Sequence, residues 1–117
     1  MQRVIEGIAQ AYGASAEFDY LRRYPSTINH ATETKIAAKV AAEVAGEARV
    51  DTNTAPVMGG EDFSFMLEKV PGCYLFIGNG AGEEVCMVHN PRYDFNDEIL
   101  PVGATYFSRL VETILAA

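Results

Sequence analysis

The sequence predicts an α/β protein in which helices pack on a mostly parallel sheet, preceded by one helix and one strand of a different character. Three observations carry this. Apolar residues recur at helical spacing in separate stretches along the chain. Cys73-Tyr74-Leu75-Phe76-Ile77 is apolar without alternation, the pattern of a strand covered on both faces. Ala14, Ala16, Phe18 and Tyr20 alternate with Ser15, Glu17 and Asp19, which is the period of a half-buried, antiparallel strand. The chain holds too few strands to build a parallel sheet alone.

In order along the chain, Val4, Ile5, Ile8 and Tyr12 form the stripe of a first helix, and Gly13 is placed to stop it. No capping residue precedes it, which suggests a missing upstream segment. The alternating strand over residues 14–20 follows. Tyr24-Pro25-Ser26-Thr27 breaks the pattern, because Pro25 has no amide proton and drives Tyr24 toward extended geometry. A domain crossing is expected there, dividing residues 1–24 from 25–117.

A second helix is predicted over residues 32–45, with Ile36, Val40 and Val44 on one stripe and alanines that permit close packing. Gly46 ends it, and residues 48–50 fit a short strand. Glu61 and Asp62 open a third, short helix whose expected buried face is Phe63, Met66 and Leu67. Pro71-Gly72 stops it before the apolar strand. Residues 78–82 read as a turn, and residues 83–98 as an irregular polar and aromatic stretch. Pro101 suits the first turn of a last helix packed through Val102, Tyr106, Leu110, Val111 and Ile114.

The bulk numbers exclude some classes. The 117 residues suffice for about one domain, and a net charge of −7 opposes binding to nucleic acid or anionic lipid. No apolar run approaches the ~20 residues of a membrane span, and no secretory leader is visible at Met1. A cytoplasmic location is therefore expected. Two cysteines, Cys73 and Cys86, make neither a disulfide framework nor a metal cluster by themselves.

Two places could carry chemistry. An irregular loop of about 16 residues is usually functional or disordered, and the rings within residues 83–98 argue against disorder. His89 follows an apolar run there, beside Asn90-Pro91, where a neutral imidazole could donate to zinc. A lone histidine is more often a hydrogen-bonded structural residue than a ligand. The other place is Met58-Gly59-Gly60-Glu61-Asp62-Phe63, where two glycines allow a tight turn and close approach of a ligand. Adjacent carboxylates on a helix do not share a face, so capping and dipole compensation are the simpler reading of Glu61 and Asp62. His30 reads as a helix-start residue. The glycines of residues 78–82 lack the Lys-Ser/Thr of a phosphate loop, and Ser64 has no nucleophile elbow around it.

GGEDFSFMLEKVPG, a segment ending IGNG, then VHNPRYDFNDEILPVGATYFSRLVE, resemble the zinc aminoacylase/carboxypeptidase amidohydrolases, and within them the hippurate hydrolase and indole-acetyl-amino-acid hydrolase branch. YPSTINHATET is similar to that family's return from its lid domain. The likeness covers nearly all of the chain, as a C-terminal fragment. It implies that residues 1–24 are the last helix and strand of an α+β lid that often dimerises, and that residues 25–117 are the C-terminal part of the zinc-hydrolase catalytic domain. It implies that His89 is a metal ligand and that Gly60, Glu61, Asp62 and Phe63 line the substrate pocket.

The family activity is hydrolysis of N-acyl amino acids or similar peptide-like amides by a water that two divalent metal ions activate. The general base and the other ligands of that family have no counterpart here, so no catalytic residue is expected in this chain. Metal binding should be weak or absent, and the isolated chain inactive. A different reading makes the chain a non-catalytic dimerisation or partner-binding module, since a lone helix and strand leave unpaired edges. A succinyl-diaminopimelate deacylase fits HNPRYDFND less well.

Overall fold

The computed structural model describes residues 1–80 and 86–115. Residues 81–85 lie outside the described residues; they include the end of the expected 78–82 turn and the start of the expected irregular stretch.

Four helices form where periodicity placed them. α1 spans Gln2–Ala11, α2 Ala31–Ala45, α3 Phe63–Leu67 and α4 Leu100–Leu115. Glycine ends the first two. Gly13, just past Tyr12, has a φ of 67°, and Gly46 closes α2 with a φ of 87°, both in the left-handed range that an L side chain resists. Pro101 sits in the first turn of α4, where its missing N–H costs nothing.

The core lies where α2 meets α4. Ala37 and Val40 of α2 and Tyr106 of α4 are buried. Leu67 and Ser64 of α3 are buried as well, and the Ser64 hydroxyl donates to the Glu61 carbonyl at 2.6 Å. Burial pushes the Tyr106 hydroxyl above its ordinary pKa. An Arg109–Glu43 pair at 3.5 Å crosses the same seam, on the surface, where it adds little.

The expected strands are a correction. No strand occurs among the described residues; residues 14–20 and 73–77 carry no ladder, and Glu47–Arg49 form a 3-10 turn instead of a strand. A strand exists only through its partner's hydrogen bonds. Here the three candidate segments do not pair with one another. Side chains take up part of that role. The Asn29 amide donates from Nδ2 to the Tyr74 carbonyl and accepts from the Tyr74 N–H, each at 2.8 Å. His30 N–H donates to the Gly72 carbonyl at 3.0 Å, and Gly72 N–H donates to His30 Nδ1 at 3.2 Å.

The buried faces are narrower than predicted. Met66 is exposed in α3, as are Val102, Val111 and Ile114 in α4, and no residue of α1 is buried. The radius of gyration is 20.5 Å, against about 13 Å for a compact chain of this length. Among the described residues no helix is long and apolar enough to cross a membrane.

Candidate functional site

The Gly59-Gly60-Glu61-Asp62 turn leads into α3. Gly59 N–H folds back to the Val57 carbonyl at 3.1 Å. At Gly60 the Tyr24 ring lies against the backbone, so that a Cβ there would stand 2.9 Å from Tyr24 Cδ2. Glu61 then does what a capping residue does. Its Oε1 accepts from Phe63 N–H at 3.2 Å, while its carbonyl accepts from Ser64 N–H at 3.2 Å. The side chain of Asp62, though next to α3, makes no cap bond and is exposed.

The other oxygen of Glu61 meets the apolar segment. Tyr74 donates its hydroxyl to Glu61 Oε2 at 3.0 Å. The Phe63 amide, the Tyr74 hydroxyl and Asp62, in that order, hold Glu61 below the usual glutamate pKa. The same bond to Glu61 pushes Tyr74 above the usual tyrosine value. The Tyr74 ring rests against Phe63 at 5.4 Å and edge-on to Phe76 at 5.4 Å. The structure thus gathers Gly60, Glu61 and Phe63 into one cluster with Tyr24 and Tyr74.

His89 sits elsewhere. It is the one non-glycine with positive φ among the described residues, at 69°. It occupies the corner of a turn closed by Asn90 N–H on the Met87 carbonyl at 3.1 Å. A second turn follows directly, with Tyr93 N–H on the Asn90 carbonyl at 2.9 Å and Arg92 N–H on Asn90 Oδ1 at 2.9 Å. The imidazole is exposed at the tip of this double turn. The far end of the loop is tied by Asn79, whose Nδ2 donates to the Asp94 carbonyl at 3.0 Å and whose Oδ1 accepts from Asn96 N–H at 2.8 Å. Among the described residues no hydrogen bond or ion pair joins this loop to the Gly60–Glu61 cluster.

His30 stands just before α2, as expected of a helix-start residue, but its side chain serves Gly72 and not the helix. Cys73 and Cys86 are both free thiols. Sequence reasoning missed Tyr74, Asn29 and Asn79. The available signal for Tyr74 was a hydroxyl inside an otherwise apolar run.

The donor set does not by itself fit a metal. Among the described residues no three of His, Cys, Asp or Glu converge on one point. One imidazole cannot hold a divalent ion tightly. No chemical step through a metal is derived from these residues.

The model of the peptidase family M20/M25/M40 matches residues 4–113. The chain belongs to this family. M20 members are hydrolases and generally depend on a metal, and membership suggests the α/β architecture that the sequence predicted. The chain is 38% identical over 115 residues to the N-acetylcysteine deacetylase of Bacillus subtilis, covering 98% of this chain and 29% of the relative. It is 33% identical over 108 residues to the hippurate hydrolase of Campylobacter jejuni, covering 92% and 27%. It is 29% identical over 122 residues to the IAA-amino acid hydrolase ILR1-like 4 of Arabidopsis thaliana, covering 98% and 27%. The M20 chain thus spans less than a third of the length of the curated relatives it matches. No solved structure matches it.

Proposed function

We propose that this chain is the C-terminal part of a metal-dependent amidohydrolase that cleaves small N-acyl amino acids. In this reading residues 25–117 belong to the catalytic domain, and residues 1–24 close the lid. His89 supplies one ligand to a divalent ion, zinc or a similar metal, whose other ligands lie outside this chain. Gly60, Glu61, Asp62 and Phe63 line the acyl-amino-acid pocket. The names of the relatives support the substrate class, since N-acetylcysteine, hippurate and IAA-amino acids are all amides of an amino acid with an acyl group. The complete enzyme is a cytoplasmic homo-oligomer, and the chain by itself is inactive.

The observation that carries the reading is the backbone of His89. A left-handed φ on a β-carbon-bearing residue costs free energy and persists where the surroundings fix it. Here it sets an exposed imidazole on the corner of two consecutive turns, which is how a loop presents a ligand.

The test is a fusion in which this chain replaces the matching segment of the Bacillus subtilis deacetylase. The fusion should hydrolyse N-acetylcysteine and carry bound divalent metal, and His89→Ala should lower both kcat/KM by at least about a hundredfold and metal content. Full activity and metal retention in the His89→Ala fusion would remove His89 from the metal site.

A further inference from the structure

We infer that Tyr74 is the positioning residue of the Gly60–Phe63 turn: its hydroxyl fixes the Glu61 carboxylate, and the Asn29 side chain fixes Tyr74. The inference rests on the reading of that turn as pocket lining.

Three separate restraints converge on Tyr74. Its backbone N–H and carbonyl are both bonded to the one Asn29 amide, at 2.8 Å each. Its ring is held between Phe63 and Phe76. Its hydroxyl donates to Glu61 Oε2 at 3.0 Å. Phe63 belongs to the turn, so Tyr74 touches two of the turn's four residues. Among the described residues Glu61 has no other long-range hydrogen bond. Its second oxygen accepts from Phe63 N–H, two residues along its own chain. Without the phenol, a half-exposed glutamate is free to change rotamer, and the turn loses a fixed charge.

The chemistry this fixes is specific. Each Glu61 oxygen keeps a lone pair after its bond to the protein. An ionised carboxylate in this position accepts from an amide N–H and repels another carboxylate. The turn therefore suits the amide side of an N-acyl amino acid and turns the substrate's own carboxylate away. Asp62, exposed beside Glu61, adds to that repulsion.

The first measurement uses the 117-residue chain itself. The side-chain carboxyl carbon of Glu61 is followed by NMR across acid pH in the wild type, Tyr74→Phe and Asn29→Ala. Tyr74→Phe keeps the ring and its packing, and amide shifts outside the cluster confirm that the fold is retained. The wild-type curve should lie below the ordinary glutamate range. Tyr74→Phe should raise it part of the way, since the Phe63 amide still bonds the carboxylate, and Asn29→Ala should raise it less. Superimposable wild-type and Tyr74→Phe curves would overturn the inference.

The second measurement uses the deacetylase fusion. Tyr74→Phe should raise KM for N-acetylcysteine roughly three- to tenfold and leave kcat within about twofold, because a lost hydrogen bond that orients bound substrate weakens ground and transition states alike. Glu61→Gln should raise KM at least as much. If Glu61→Gln changes nothing, the turn does not line the pocket and the inference falls with that reading. If Glu61→Gln is impaired while Tyr74→Phe matches the wild type, the pocket reading stands and the role of Tyr74 is overturned.

Discussion

Tyr24 packs so closely on Gly60 that a Cβ added to the glycine would come within 2.9 Å of Tyr24 Cδ2. The Tyr24 ring also meets Phe65 edge-on, with ring centroids 5.9 Å apart. Gly60→Ala should therefore cost about 1–3 kcal/mol by overpacking. Urea denaturation of the chain would show it. Tyr24→Ala combined with Gly60→Ala should recover most of that loss, and additive losses would mean that the two residues do not meet.

His89 should behave in stability tests as its backbone dictates. Its φ of 69° favours glycine and tolerates asparagine. His89→Gly and His89→Asn should leave the stability of the chain within about 0.5 kcal/mol. His89→Val should lose about 1–2 kcal/mol, since a β-branched residue resists this conformation. A valine variant as stable as the glycine variant would show that the turn adopts a different backbone in solution.

Asn79 should act on the loop at a distance. Its amide bonds to the Asp94 carbonyl and the Asn96 N–H, well beyond the loop's tip. Asn79→Ala should cost about 1 kcal/mol and speed hydrogen exchange at the Asn96 amide several-fold. Unchanged exchange at Asn96 would break the proposed tie. Asn79→Asp should fall between, keeping the acceptor for Asn96 and losing the donor to Asp94.

The Glu61–Tyr74 bond gives a stability that fades at both ends of the pH scale. Glu61 is lowered in the folded chain from an ordinary value of 4.5, so its contribution is full above that pH and is lost as pH falls through the lower folded value. Tyr74 is raised from 10.0, so its contribution is full below that pH and is lost as pH rises through the higher folded value. Tyr74→Phe should flatten both edges of the stability profile, measured by chemical denaturation from acid to alkaline pH. Parallel wild-type and variant profiles would contradict the bond.

The helices were legible because helical periodicity and glycine stops are local. Gly13 and Gly46 end α1 and α2 where the sequence placed them, and Pro101 begins α4 as predicted. The strands were not legible in the same way. Residues 73–77 have the composition of a covered strand, but pairing is a property of a partner that composition does not supply. The candidate site divides likewise. The two glycines and the capping role of Glu61 follow from short-range rules. The bonds from Tyr74, Asn29 and Asn79 span between 13 and 45 residues of sequence, and nothing in a single sequence marks them.

Gln2–Ala11 is ten residues long, and Val4 and Ile8 of it, with Tyr12 just past its end, are exposed to solvent. Isolated helices below about 12–15 residues do not hold their shape in water without outside support. A surface that covered those three side chains would therefore add to the stability of the helix, and its helicity would report that contact.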